Sequence, residues 1–156
     1  MSEALFRPAR PADWFAIQRM CQALYVDDVV GEPMDEAKIL RTLRHLTACP
    51  AQGQVWLAEA GDQAIGYAIL IWFWSNEYGG QLGVIDEIWV DPPFRGRGVG
   101  SHFLHALQRS RDDLLGLDLE VSPENTEARA WYAHRGFEPI RNQMLRWRPS
   151  AAVARE

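Results

Sequence analysis

An apolar stretch from Val84 to Val90 runs through Asp91-Pro92-Pro93-Phe94 into Arg95-Gly96-Arg97-Gly98-Val99-Gly100. Beyond it Val99, Phe103, Leu104 and Leu107 recur at helical spacing. A strand that feeds an amphipathic helix through a glycine-rich turn is an α/β unit. Its turn also has a chemical consequence. Glycines take positive φ and, lacking Cβ, let backbone N–H groups approach an anion closely. The start of the following helix adds about half a positive charge aimed at the same point. Arg95 and Arg97 carry side-chain charge within reach of it. The segment reads as a cradle for a phosphate-bearing ligand.

Three glycine-rich patterns compete for that ligand. A P-loop ends in Gly-Lys-Ser/Thr, whereas Gly100 is followed by Ser101 and His102. A dinucleotide fingerprint needs glycine or alanine where Ser101 stands, although Glu120 does fall about twenty residues on. The Asp91-Pro92-Pro93-Phe94 approach is also longer and stiffer than the tight first turn of that fold. The third pattern fits. Arg95-x-x-Gly98-x-Gly100 resembles the (Gln/Arg)-x-x-Gly-x-(Gly/Ala) signature of the GNAT superfamily of acetyl-CoA-dependent N-acetyltransferases.

A second stretch carries the same resemblance independently. Asn125-x-x-Ala128-x-x-x-Tyr132-x-x-x-Gly136-Phe137 looks like the second GNAT motif, with the strand Leu117 to Val121 just before it. Spacings of three and four put Asn125, Ala128 and Tyr132 on one helix face. Ser122-Pro123 offers an N-cap with proline at the first helical position, and Gly136 is placed to close the helix.

Periodicity along the chain gives the order of elements. Ala4 to Arg7 is a short strand, and Asp13 stands as cap of a helix striped by Ile17, Met20, Cys21 and Leu24. A loop containing Asp27, Asp28 and Gly31 leads to a second helix with Ile39, Leu40, Leu43 and Leu46. Strands Val55 to Ala60 and Ala64 to Trp74 flank the hairpin signal Gly61-Asp62. A polar turn, 75–80, returns the chain as the strand Gln81 to Val90. After the glycine run and its helix come a strand from Leu115, the Tyr132 helix, and two short strands around 137–140 and 144–147. This order resembles the GNAT fold over nearly the whole chain. The resemblance implies an α/β (α+β type) domain, with a mixed, mostly antiparallel twisted sheet of about seven strands flanked by four helices. One domain is expected over 1–147, with a C-terminal tail over 148–156.

Composition narrows the partners. With 156 residues, 47% hydrophobic and 24% charged, the chain is of single-domain size with an ordinary globular balance. A net charge of −5 argues against nucleic acid and suits cationic substrates. The two cysteines, Cys21 and Cys49, form no Cys-x-x-Cys pair and suggest no disulfide framework. The N-terminus lacks a signal-peptide stretch, and the longest apolar run, Tyr67 to Trp74, is too short to span a bilayer. A cytoplasmic protein without membrane attachment is expected. His102 and His105 sit three apart on one helix without a third ligand, so no metal is expected.

Acetyl transfer to an amine sets three chemical requirements. The amine must be neutral, the thioester carbonyl polarised and the leaving thiolate protonated. Alkyl amines have pKa values near 10, so a base must act at neutral pH. Asp86 and Glu87 stand in the strand where the family places its base, in the order Asp-Glu rather than the frequent Glu-Asp. Adjacent strand residues point to opposite faces, so one of them faces the amine. Glu87 is preferred for its longer reach, with a salt bridge or loop cap as the other role for both. The resemblance further implies that the backbone groups of Trp89 and Val90 bind the acetyl carbonyl. It assigns the cofactor to the amides and side chains of Arg95, Gly96, Arg97, Gly98, Val99, Gly100 and Ser101, with Asn125 and Ala128. Tyr132 falls at the family's tyrosine, which protonates the departing thiolate. Asn125 serves equally well as a helix cap.

Substrate contacts are read from aromatic and acidic residues. Tyr25, Asp27 and Asp28 lie in the interhelical region, which sets substrate choice in the family. Trp74, Glu77 and Tyr78 cluster near the turn before Asp86, where aromatic and carboxylate groups suit a cation. The expected acceptor is therefore a small cationic amine, with a loose likeness to diamine acetyltransferases. The reaction is expected to run by direct attack through a tetrahedral intermediate, without metal or acetyl-enzyme. Acetylation of a protein N-terminus or lysine, and a non-catalytic acyl-CoA-binding sensor, are the alternatives. A homodimer is expected by analogy with the family.

Overall fold

Ile17, Met20 and Cys21 line one side of helix α1 (Trp14–Asp27), and Ile39, Leu43 and Leu46 line one side of α2 (Glu36–Ala48). Both stripes are buried, as the three-and-four spacing of apolar residues dictates. The computed structural model describes residues 3–28 and 31–149. Of the expected tail, residues 150–156 lie outside the described residues. The chain divides into two compact units, Met1–Glu120 and Val121–Glu156.

The first unit is built on a sheet in the order β1 (Leu5–Pro8), β2 (Gly53–Ala60), β3 (Gln63–Ser75), β4 (Gly80–Val90) and β5 (Leu114–Leu119). The first four strands pair antiparallel and β4–β5 pairs parallel, so the sheet is mixed. A parallel pair needs a crossover, and helix α3 (Val99–Gln108) supplies it. The α1 and α2 stripes cover one face, packing on Val55, Leu57, Tyr67, Ile69 and Trp89. On the opposite face Phe103 of α3 stacks on Phe6 of β1, centroids 5.1 Å apart. Phe6 pairs with Ala58, the neighbour of Leu57, and so points to the other side.

A bulge in β4 decides which face the second carboxylate takes. Ile85 pairs with Leu70 and Glu87 with Ile69, which leaves Asp86 as the extra residue. Leu70 and Ile69 are neighbours on opposite faces, so Ile85 and Glu87 also part company although they are two residues apart. The bulge turns Glu87 toward α1 and α2 while Ile85 stays on the α3 side.

Several expectations are corrected by the local chemistry. The sheet has five strands among the described residues rather than about seven. The segments around 137–140 and 144–147 form no strand. Pro139 removes a ladder donor, and Ile140, Met144, Leu145 and Trp147 are all exposed, so no buried face enforces a register. Asp13 does not cap α1 with its side chain. Its carboxylate accepts two bonds from the Arg7 guanidinium, at 2.8 and 3.0 Å, and one from the Arg10 N–H. That pairing holds the Asp13 carboxyl below its usual range.

In the second unit, helix α4 (Thr126–Ala133) starts later than Ser122-Pro123 suggests. Asn125 is its N-cap, with Oδ1 accepting from the Ala128 N–H at 3.0 Å. The Ser122 hydroxyl is engaged with Glu124 instead. Gly136, at φ +86°, turns the chain shortly after the C-cap His134.

Candidate active site

Glu87 emerges on the α1–α2 face of the sheet and is met there by three donors. Tyr25 Oη donates to Oε1 at 2.7 Å, and Tyr67 Oη donates to Oε2 at 2.7 Å. Cys21 Sγ lies 3.6 Å from Oε2. Tyr25 and Cys21 come from one side of α1, four residues apart, and Tyr67 comes from the neighbouring strand. Burial, followed by the Glu87 charge, pushes the Cys21 thiol up to about 12. Burial and the same carboxylate raise both tyrosines as well. All three therefore keep their protons at neutral pH and act as donors, and Glu87 is the acceptor they share. Asp86 at the bulge is exposed, yet loss of surrounding water raises its carboxyl, with Glu87 and Glu120 adding like charge.

One space adjoins this carboxylate and a second lies beyond Tyr25. A small cavity of about 20 Å³ is lined by Glu87, Tyr67, Cys21 and Thr42 on its polar side and by Ile17, Ile39, Leu43 and Ile69 on its apolar side. That is room for one water with several polar partners. A larger, open pocket of about 550 Å³ lies where α1 ends, lined by Gln22, Tyr25, Asp28, Glu32, Pro33 and Met34 among others. Met34 borders both spaces, and Tyr25 lines the pocket while bonding Glu87. The pocket is of ligand size and bears carboxylates at Asp28 and Glu32.

The other half of the candidate site is backbone. The β4–β5 ladder runs only from Gln81 to Ile85 on β4, whereas the β3–β4 ladder continues to Val90. β5 ends at Leu119 opposite Ile85, so from Asp86 to Val90 this edge of β4 has no paired strand among the described residues. At the end of this edge, Gly96 and Gly98 take φ of +71° and +81°. Gly98 is the N-cap of α3, and the first intrahelical bond there is His102 N–H to Gly98 O at 3.0 Å. The amides of Val99, Gly100 and Ser101 in that first turn precede the helix's own ladder. A Cβ on Gly96 would meet nothing within 4 Å, so conformation rather than space demands glycine there.

Arg95, expected as a phosphate ligand, is tied to its own strand. Its Nε donates to Val90 O at 2.7 Å, and its guanidinium lies 4.3 Å from the centroid of the Trp89 ring. It is folded back against the strand and shapes the loop. The Trp89 indole is buried, and its N–H donates to Asp91.

In the second unit, Tyr132 lies edge-on to Trp131 and to Phe137, at 5.0 and 5.5 Å. Burial raises its hydroxyl above the usual range, so it is protonated at neutral pH. Ala128, on the same helix, is half-buried.

The sequence-predicted residues thus separate into groups. Tyr25 and Asp28 line the pocket, Glu87 joins them through its bond from Tyr25, and Asp27 is exposed beside Asp28 at the end of α1. Trp89 to Ser101 come together at the open edge and the α3 N-terminus. Trp74, Glu77 and Tyr78 do not join either group. Trp74 pairs with Gln81, six residues from Glu87, or about 20 Å along the strand. Sequence reading missed Cys21, Tyr67, Met34, Arg19 and Asp91. Cys21 and Tyr67 sit at apolar-periodic positions and read as core, which they also are.

A mixed sheet whose β4 leads from an unpaired edge into a glycine-capped helix, with a hydrogen-bonded carboxylate on one face, makes this an α/β domain with a candidate anion site beside a candidate base. The family model described as acetyltransferase (GNAT) family matches residues 16–137, and the chain belongs to this family of acyltransferases. A comparison with proteins of curated function returns no match. Among solved structures, a possible acetyltransferase from Clostridium difficile 630 is similar, with a TM-score of 0.84 at 19% identity, covering 94% of this chain and 98% of that one. An integron cassette protein from the Cole Harbour Salt Marsh metagenome has a TM-score of 0.78 at 25% identity, covering 95% and 92%. AAC(6')-Iy in complex with the bisubstrate analog CoA-S-monomethyl-acetylneamine has a TM-score of 0.79 at 21% identity, covering 96% and 100%. Among the described residues no group of three or more His, Cys, Asp or Glu could hold a metal ion, and no helix is long and apolar enough to cross a membrane.

Proposed function

We propose that the protein transfers acetyl from acetyl-CoA to the primary amine of a small cationic molecule held in the pocket beside Tyr25. The observation that carries this reading is the placement of two half-sites on β4. One is the unpaired edge from Asp86 to Val90, leading into the glycine run, and the other is Glu87 bonded to a pocket-lining tyrosine.

The residues present fit acetyl-CoA. An extended pantetheine arm can pair with the open strand edge as an added strand would. The amides of Gly96 to Ser101 and the α3 N-terminus suit its pyrophosphate. When bound there, acetyl-CoA supplies an activated acetyl thioester. Of the two backbone groups expected to bind its carbonyl, the Val90 N–H faces the open edge and stabilises charge that develops on the oxygen, whereas Trp89 faces β3 opposite Tyr67. On the amine side, Asp28 and Glu32 attract the cation electrostatically. Glu87 takes the proton of the ammonium, directly or through a water in the small cavity, and Tyr25 and Tyr67 hold the carboxylate in place. Tyr132 is assigned as the acid for the leaving sulfur from its position in the second motif and its protonated state.

An acidic pocket favours a small polycation over a peptide, whose acetylation is the second form of the same chemistry. The aminoglycoside enzyme among the structural neighbours is consistent with that choice. Calorimetric titration tests the cofactor half, with NADH and ATP as controls. Micromolar binding of acetyl-CoA alone is expected, and binding of NADH in its place would restore the dinucleotide reading.

A further inference from the structure

Asp91, the residue that follows β4, is the one charged side chain in the buried set of the described residues, at 7% exposure. Its oxygens are fully engaged. Oδ1 accepts from Trp89 Nε1 at 2.9 Å and from Arg19 Nη1 at 3.3 Å, and Oδ2 accepts from Arg19 Nη2 at 2.8 Å. Its backbone is tied as well. The Asp91 N–H donates to Ile65 O at 2.8 Å, and its carbonyl accepts from the Phe94 N–H at 2.9 Å. Trp89 in turn carries the Arg95 guanidinium on its ring. A chain of contacts therefore runs from Arg19 on α1, through Asp91 and Trp89, to the first residue of the glycine run.

Stability alone is a poor reason for a carboxylate here. Withdrawing a charge from water is costly, and an apolar residue of similar size commonly serves as well or better in a core. A directional tie has a different use. Arg19 shares α1 with Cys21 and Tyr25, which hold Glu87. The same helix is thus pinned at Glu87 on one side and at the entrance of the glycine run on the other.

We propose that Asp91 is a positioning residue: through Arg19 and Trp89 it locks the glycine run to helix α1, so that the cofactor cradle and the Glu87 pocket keep a fixed spacing. The inference rests on the acetyl-CoA reading above and deepens it. Arg95 also belongs to this device, through its Nε bond to Val90 O and its contact with the Trp89 ring.

The test is CoA affinity by calorimetry, at a temperature well below each variant's melting point. Asp91→Asn keeps size but removes the charge that fixes Arg19. Arg19→Gln does the same from a half-exposed side chain and remains informative even where Asp91→Asn fails to fold. Each is expected to weaken CoA binding roughly tenfold, the scale of ordinary coupling between sites. The double variant should be no weaker than either single one, because both break one link. Arg19→Lys should recover part of the loss. Folded variants that bind CoA within about twofold of wild type, or single effects that simply add, overturn the proposal. A wild-type protein that binds no CoA overturns the acetyl-CoA reading, and this inference with it.

Discussion

Replacing Glu87 by glutamine separates chemistry from architecture at the candidate site. The carboxylate accepts from two tyrosine hydroxyls at 2.7 Å and lies near a thiol at 3.6 Å. Bonds to an ionised acceptor are worth about 1.5–3 kcal/mol and neutral ones about 0.5–1.5 kcal/mol, so two bonds weakened in this way lose about 2 kcal/mol or more. One amide oxygen can still accept from Tyr25, and the amide N–H₂ can donate to Tyr67 oxygen, as relief from burying a charge offsets part of the loss. A net destabilisation of about 1–2 kcal/mol is expected, which a 156-residue chain tolerates. Turnover is affected far more. Loss of a general base costs about 10²- to 10⁴-fold in rate. The assay is steady-state thiol release from acetyl-CoA with an accepted amine, paired with urea denaturation and acetyl-CoA titration. The expected pattern is a folded variant with unchanged cofactor affinity and a collapsed kcat. A kcat within about threefold of wild type would remove Glu87 from the chemistry.

Three further substitutions probe the same account. Gly98→Ala forces a Cβ into φ +81°, where His102 at 3.8 Å leaves room, so strain alone should cost about 1–2 kcal/mol in denaturation and weaken acetyl-CoA binding. Tyr132→Phe should lower kcat about 10²-fold while acetyl-CoA affinity holds, and an unchanged rate would exclude it as the acid. Asp86 has a raised carboxyl, so folding favours its protonated form: its contribution is full below the unfolded carboxyl range and is lost as pH rises through the folded value. Asp86→Asn should therefore be more stable than wild type at neutral pH, with the gain vanishing in acid, as denaturation across the acid range will show.

What the sequence made legible was local. The stripes of α1, α2 and α3 arise from spacing within one helix, and the glycine run from a demand for positive φ that two residues express by themselves. The Gly61-Asp62 hairpin is of the same kind, with Ala60 facing Gln63 across it. The Glu87 cluster is different. Its partners stand 66, 62 and 20 residues away in the chain, and register alone brings them together. That register includes the bulge at Asp86, which breaks the simple alternation by which Asp86 and Glu87 were to be distinguished. Asp13 illustrates competition between partners: it has the composition of a cap, but Arg7 offers a stronger, charged donor. Asn125 displaces Ser122 as cap because the helix begins after the proline turn rather than on it. Ile140, Met144, Leu145 and Trp147 suggest short strands in the sequence, yet all four are exposed.

The most direct test of the central claim is a thiol-release screen with acetyl-CoA across polyamines, aminoglycosides, amino-acid amides and lysine peptides. The account predicts turnover with at least one small polycation, abolished by Glu87→Gln, and little with the peptides. Tight acetyl-CoA binding without turnover on any amine would make the protein a binding module, and a preference for the peptides would move the acceptor out of the acidic pocket.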